Sequence, residues 1–313
     1  MSHDHGPLDF SRAFGIGIAL NIGFVAIEAF YGWRAGSLAL LADACHNLGD
    51  VGGLGLAWAG LAAGRLRVND RHTYGWQRAS ILASFVNAAF LLLLMGGLAL
   101  EAIQRLGRPS AVDEWPVLLV AAIGILINGV TAWLFASGSK GDLNIRGAFL
   151  HMAADALVSL GVVVSAAVVL VTGWMWVDSI ASLLIVVVVV WGTLSLFVQA
   201  LHLLFDGVPR EVELRAVRER LLSLTGVASL HDLHVWALST SRVSLTAHLV
   251  RTADAQDDDA LLAQAEQLLH EDFEITHVTL QVESEDFATH CALRLAHPGA
   301  VSSDDIAAAG SVS

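Results

Sequence analysis

The sequence predicts an all-α membrane domain of six helices followed by a small α+β domain. Three observations carry this reading. Of the 313 residues, 55% belong to the AVILMFWYC set and only 15% are charged, against about 25% charged in soluble domains. Six apolar runs occupy residues 11–204. Beyond them the pattern changes to shorter segments in the order α-β-β-α-β. This composition excludes disorder for the bulk of the chain. With only Cys45 and Cys291 present, a disulfide-stapled scaffold is excluded as well.

A helix that crosses the roughly 30 Å bilayer core needs about 20 mostly apolar residues. Such runs lie at 11–33, 38–62, 79–104, 115–136, 147–172 and 177–204, with short polar breaks such as Arg34–Ser37 and Ser137–Asp142 between them. Lys and Arg favour the cytoplasmic side of membrane proteins. The N-terminus and the loops after spans two and four carry Arg12, Arg65, Arg67, Arg71, Arg78, Lys140 and Arg146. The opposite side carries Arg34, Arg105 and Arg108. Both termini are therefore expected in the cytoplasm. The first run is too long for a signal-peptide core and lacks a basic flank, so no cleavage is expected. With Cys45 inside a span and Cys291 in the cytosolic part, no disulfide is expected between them.

The expected organisation is a tail at 1–10, a transmembrane domain at 11–205, a cytoplasmic domain at 206–287 and a disordered Ala/Ser/Gly-rich tail at 288–313. In the third segment, residues 211–224 have helical spacing through Val212, Leu214, Val217, Leu221 and Leu222. Residues 230–238, 242–250 and 275–283 alternate as strands, and 257–271 is helical. A two-layer α+β domain follows. Val243, Leu245, Ala247 and Leu249 share one strand face, as do Val278, Leu280 and Val282. Those faces should carry the helices. The net charge of −13 divides into −2 for residues 1–205 and −11 for residues 206–313. The acidic part reads as a solvated surface or as an attractor of cations. No basic patch points to nucleic acid.

An ionised group at the centre of a membrane helix costs about 2.5–3.5 kcal/mol on insertion scales, so each one needs a reason. Span two contains Leu-Ala-Asp-Ala-Cys-His-Asn-Leu-Gly-Asp, with His46 and Asp50. Span five contains Ala-Phe-Leu-His-Met-Ala-Ala-Asp, with His151 and Asp155. Both are His-x-x-x-Asp, an i,i+4 pair on one helix face. Two such faces turned together supply two imidazoles and two carboxylates, a donor set that suits tetrahedral Zn²⁺. Ca²⁺ and Mg²⁺ prefer oxygen shells with more ligands. Cys45 points about 100° away from His46 and reads as packing. Asp43 reads as a hydrated interfacial carboxylate, or as a group supporting the ligands or at their gateway.

At this point the sequence resembles the cation diffusion facilitators, a family of proton-coupled metal exporters of the zinc type. The resemblance covers roughly residues 8–287. It rests on Ala-Leu-Leu-Ala-Asp-Ala-Cys-His-Asn-Leu-Gly-Asp at 39–50 and Asn-Ile-Arg-Gly-Ala-Phe-Leu-His-Met-Ala-Ala-Asp at 144–155. Thr-Tyr-Gly-Trp-Gln-Arg at 73–78 and His-Asp-Leu-His-Val-Trp at 231–236 add to it. The resemblance implies six spans, a homodimer in the lipid bilayer and a ferredoxin-like cytoplasmic domain. It implies that Zn²⁺ is exported in exchange for protons, with His46, Asp50, His151 and Asp155 as the transport site. Zinc is also implied as a regulatory ligand of His231, His248 and Glu283, where Gln281 replaces a ligand of some members. A polar, solvated sheet face with incidental histidines is the other reading of those residues. In the loop after span two, Asp70 and His72 match a further metal position, although Trp76 stands where those members have histidine. Arg78 and Asp206 match a basic–acidic interlock, and either is equally able to face water. A bacterial inner membrane is the implied location.

Other classes are weighed against this. An intramembrane metallohydrolase needs a general base and an open coordination position, and no His-Glu-x-x-His run occurs. Cd²⁺, Co²⁺, Fe²⁺, Ni²⁺ or Mn²⁺ remain alternative substrates. A membrane metal sensor that does not transport is the other alternative.

Overall fold

A computed structural model of the chain describes residues 10–136, 143–253, 257–291 and 301–302. The expected N-terminal tail, with its His3 and His5, and most of the expected disordered tail lie outside the described residues, as does Lys140. The chain divides into two compact units, Met1–Ala57 with Ser84–Phe197, and Trp58–Ala83 with Val198–Ser313.

Six long helices dominate the described residues up to 204. They are α1 (Phe10–Ala35), α2 (Leu38–Gly64), α3 (Ala79–Gly107), α4 (Glu114–Ala136), α5 (Leu143–Thr172) and α6 (Trp176–Leu204). Ala79–Gly107, Glu114–Trp133, Phe149–Thr172 and Trp176–Leu204 are long and apolar enough to cross a membrane. The helices α1 and α2 carry Glu28, Asp43, His46 and Asp50 along their length, which lowers their apolar character. Much of the surface is apolar: Leu93, Val171 and Trp191 are 75%, 86% and 84% exposed. Side chains of that kind face lipid rather than water.

The first unit is held together by close helix contacts. Phe24, Ala39, Leu40, Ala42, Leu91, Met95, Val117, Ala121, Val162, Ala166 and Ile185 are buried in one apolar cluster. Gly49 and Gly53 of α2 lie against Leu91 and Asn87 of α3. A Cβ on Gly49 would sit 2.8 Å from Leu91 Cδ2. Asn87 Nδ2 donates to the Gly49 carbonyl at 3.1 Å. Small residues four apart let membrane helices approach closely, where a polar side chain can reach backbone.

The start of α2 is anchored from α6. Ser37 Oγ accepts from Leu40 N at 3.2 Å, an N-cap. Its hydroxyl donates to Asp178 Oδ1 at 2.5 Å. Leu38 N and Ala39 N donate to the same carboxylate at 2.8 and 3.4 Å. These bonds take up backbone donors that a helix terminus otherwise leaves unsatisfied.

The second unit contains α7 (Leu214–Leu222), β1 (Val227–Ser239), β2 (Arg242–Arg251), α8 (Asp258–Phe273), β3 (His277–Glu283), α9 (Glu285–His290) and the short β4 (Val301–Ser302). The sheet order is β3-β2-β1-β4. The β1–β2 pairing is antiparallel and the β2–β3 pairing parallel. The two helices pack on one face. Val217 and Leu221 from α7, Leu261, Ala265 and Leu269 from α8, and Leu245, Ala247 and Leu249 from β2 form its core.

One feature departs from simple alternation. Leu230 and Val235 are both buried in that core, yet they are five residues apart and a regular strand would turn them to opposite faces. The register shifts between His231 and His234, and Asp232 takes a φ of 51°. This bulge returns Val235 to the core side. It also pairs His231 directly with His248.

Candidate metal centres

In the first unit, α2 and α5 bring their two His-x-x-x-Asp faces together. His46 Nε2 lies 3.2 Å from Asp155 Oδ1 and 3.8 Å from Asp50 Oδ2. His151 Nε2 lies 3.6 Å from Asp50 Oδ2 and 3.6 Å from Asp155 Oδ2. The rings are edge-on, with centroids 6.4 Å apart. Each imidazole therefore faces both carboxylates. Ligands bound to Zn²⁺ at about 2.0–2.2 Å stand about 3.3–3.6 Å from one another in a tetrahedron. The four His–Asp separations fall close to that spacing; the donor atoms of His46, Asp50 and Asp155 all lie within 4.8 Å of one another, and His151 stands at the edge of that group. Asp155 is 2% exposed, Asp50 and His46 are half-buried, and the His151 side chain is open. The site thus reaches from the packed interior to an accessible rim.

A polar layer, of which the sequence pointed only to Asp43, lies behind this site. Glu28 of α1 is fully buried and accepts from Asn47 Nδ2 at 2.8 Å. Asp43 accepts from Ser159 Oγ at 2.9 Å and is also fully buried. Of the two readings of Asp43, the hydrated interfacial carboxylate does not hold: α5 covers that face of α2 and packs Asp43 behind the candidate ligands, in the supporting position. Asn47 and Ser159 sit one residue after His46 and four after Asp155, so each braces a turn that carries a candidate ligand. Glu28 had a detectable signal, a carboxylate in the middle of an apolar run. Cys45 is half-buried and packs against the apolar cluster.

In the second unit, β1, β2 and β3 bring His231, His248 and Glu283 together on the sheet face away from α7 and α8. His248 Nδ1 lies 2.6 Å from Glu283 Oε1. His231 Nε2 lies 3.5 Å from Glu283 Oε2. The two imidazole centroids are 5.0 Å apart. Gln281 Nε2 donates to Glu283 Oε1 at 2.8 Å and so orients the carboxylate. His231 and Glu283 are only 2% and 3% exposed. This sheet face is thus not the open, solvated one that strand alternation alone suggests, since α9 turns back toward β2. Asp232, in the bulge, places Oδ1 3.0 Å from His234 Nε2 and Oδ2 3.9 Å from His248 Nε2. Cys291, which the sequence reading left without a role, comes within ligand distance of His231, His248 and Glu283, with all four donor atoms inside 4.8 Å of one another.

The remaining pairs differ in kind. Asp70 is exposed, while His72 stacks on Trp76 with centroids 4.2 Å apart. Asn69 Oδ1 accepts from Arg71 N and His72 N at 2.9 Å each and shapes the turn. No third His, Cys, Asp or Glu joins Asp70 and His72 in a ligand cluster among the described residues. Arg78 Nη2 donates to Asp206 Oδ1, and both side chains are largely exposed. Exposed ion pairs contribute about 0–1 kcal/mol. A double-mutant cycle of Arg78→Ala and Asp206→Ala, read by unfolding of the purified protein, is therefore expected to give a coupling no larger than that.

Residues 15–205 match the family model of the cation efflux transmembrane domain. Residues 209–285 match that of the cation efflux protein cytoplasmic domain. The chain is 37% identical over 318 residues to the metal cation efflux system protein CzcD of Cupriavidus metallidurans, across 99% of this chain and 98% of that protein. It is 32% identical over 293 residues to a cadmium, cobalt and zinc/H(+)-K(+) antiporter of Bacillus subtilis, across 91% and 93%. It is 34% identical over 291 residues to the zinc transporter ZitB of Yersinia pestis, across 92% and 93%. Apolar helices, a paired His/Asp cluster and full-length similarity to metal transporters agree: this chain belongs to the cation efflux family, the cation diffusion facilitators, and is a multi-pass membrane transporter of divalent metal cations rather than an enzyme.

Proposed function

We propose that the chain exports Zn²⁺ from the cytoplasm in exchange for protons, as a homodimer with six spans, both termini cytoplasmic and a ferredoxin-like C-terminal domain. The observation that carries this is the meeting of His46, Asp50, His151 and Asp155, in which each imidazole lies 3.2–3.8 Å from both carboxylates. A ferredoxin-like reading of the C-terminal domain is supported by its two helices on one face of a sheet with mixed strand directions. The excess of Arg and Lys in the N-terminus and the loops after α2 and α4 supports the orientation. The names of the relatives support the ion class.

The exchange follows from the donor chemistry. Metal binds neutral imidazole and ionised carboxylate, so its arrival displaces protons. When the empty site faces the other side, protons compete for the same atoms and favour release. Imidazole titrates near neutral pH, which suits that competition. The open His151 rim gives the ion access, and the buried Asp155 end keeps the charge pair desolvated and strong. In the C-terminal domain, His231, His248 and Glu283 bind regulatory zinc. Among the described residues the Asp70–His72 pair lacks a third ligand, which favours no strong site there.

The test is metal uptake into inside-out vesicles containing the purified chain, with zinc, cadmium, cobalt, iron, nickel and manganese offered in turn. Zinc uptake driven by an imposed pH gradient, and lost when the gradient is collapsed, is the expected result. Metal binding without uptake would identify a sensor instead. Cadmium and cobalt deserve their place in the panel, because two of the relatives carry cadmium, cobalt or metal-cation efflux in their names. In the same vesicles, His46→Asp is expected to raise cadmium uptake relative to zinc. An unchanged ratio would argue that position 46 does not set selectivity.

A further inference from the structure

We propose that Cys291 is the fourth ligand of the C-terminal centre, which it closes into a His₂-Glu-Cys shell for a thiophilic divalent cation (zinc, cadmium or cobalt) within one protomer. This rests on the reading above that His231, His248 and Glu283 hold metal, and it adds both the missing donor and the ion class.

Local structure explains how a residue eight positions beyond Glu283 reaches the same site. Glu283 ends β3, and Ser284 caps the short helix α9 by accepting from Phe287 N at 3.3 Å. Ala288, fully buried, pins that helix against the domain. Cys291 N donates to the Ala288 carbonyl at 3.3 Å, which turns the chain back at the helix end. The thiol arrives beside the two imidazoles and the carboxylate, all four donor atoms lying within 4.8 Å of one another. Ligands on one Zn²⁺ stand about 3.3–3.8 Å apart when one of them is sulfur. Closing the cluster onto an ion therefore needs no pair of donors to approach by more than about 1.5 Å.

Two further observations favour a ligand over a packing role. Cys291 is half-buried and belongs to neither the core nor the partly buried rim of the domain's apolar cluster. Glu283 Oε2 is buried with no hydrogen bond and only the 3.5 Å approach of His231 Nε2, and a buried acceptor left without a hydrogen bond costs stability. A cation among these donors supplies what is missing. Four protein ligands leave no open position, which marks a structural or sensing site rather than a catalytic one. The thiolate shifts preference toward borderline and soft ions, away from Mg²⁺ and Mn²⁺. Metal binding would then tie the end of α9 to the sheet when zinc or cadmium is plentiful.

The chain has only two cysteines, so in a full-length Cys45→Ala protein a sulfur-to-cobalt charge-transfer band can arise from Cys291 alone. With Asp155→Ala added to silence the membrane site, Co²⁺ is expected to give that band together with the visible absorption of four-coordinate cobalt. Cys291→Ser is expected to abolish the band. It should also weaken zinc binding to this centre by at least the roughly 10–100-fold that even outer-shell partners cost. Four-coordinate cobalt absorption without the charge-transfer band would overturn the role of Cys291 while leaving the three-residue centre intact. Absence of both signals would overturn the centre itself. The unsubstituted chain provides a check that does not depend on folding of variants: saturating zinc is expected to shield Cys291 from alkylation, followed by mass spectrometry of its peptide. An unchanged alkylation rate overturns the proposal.

Discussion

An Asp155→Ala chain is expected to take up no zinc into inside-out vesicles under a pH gradient that drives uptake by the unsubstituted protein. Asp155 is the most buried of the four clustered residues and lies within 3.2 and 3.6 Å of both imidazoles. Its loss removes one of four donors and leaves His46 with the longer 3.8 Å approach to Asp50 as its remaining contact in the cluster. Zinc affinity should fall by more than the roughly 10–100-fold cost of losing an outer-shell partner. Asp155→Asn keeps the shape but not the charge, and it is expected to be equally inactive. The ion's two positive charges then have only the Asp50 carboxylate to compensate them in a low-dielectric site. Proton-driven zinc uptake that survives either substitution would remove these residues from the transport site.

Removing the anchor at the start of α2 should have the largest effect on stability. Asp178→Ala takes the acceptor from Ser37 Oγ, Leu38 N and Ala39 N together. Ser37 and Asp178 are 0% and 2% exposed, so water does not readily replace what is lost. An unsatisfied buried donor costs about 1–3 kcal/mol, and three of them put the total on the order of 3–5 kcal/mol. Thermal unfolding in detergent should show a marked fall in Tm, with Asp178→Asn falling less because its amide oxygen still accepts. An unaltered Tm would mean that α2 is held by its packing alone. The same helix carries His46 and Asp50, so Asp178→Ala should also slow zinc uptake without changing the order of metal preference. That separates it from substitutions of the ligands, which act on the ion directly.

Both predictions turn on residues whose visibility in the sequence differed. Asp155 stood out because an ionisable group in an apolar run is costly and because His-x-x-x-Asp occurs twice. Asp178 was invisible as an anchor. It sits in the first turn of its own apolar run, and its partners at 37–39 are about 140 positions away. Glu28 and Asp43 were similarly separated from their partners by contacts between helices. The helices themselves were legible to within a few residues, because a run of about 20 apolar residues has few stable alternatives in a bilayer.

The C-terminal domain shows the same division. Strand alternation placed Leu245, Ala247 and Leu249 in the core, and the structure has them there. Alternation could not reveal the bulge at Asp232, since a one-residue insertion leaves composition unchanged while exchanging faces. That bulge pairs His231 with His248. Nor could local pattern show that a six-residue helix returns Cys291 to Glu283.

The sequence by itself determined where the apolar spans lie, which turns carry histidine and aspartate on one face, and which strand faces are buried. These depend on interactions between residues a few positions apart, or on solvent acting on each residue alone. Only the tertiary structure decided which faces meet: α2 against α5 at the His/Asp cluster, α6 against the start of α2, and the end of α9 against the sheet. Those choices rest on packing and hydrogen bonds between segments far apart in the chain, whose energies no local pattern records.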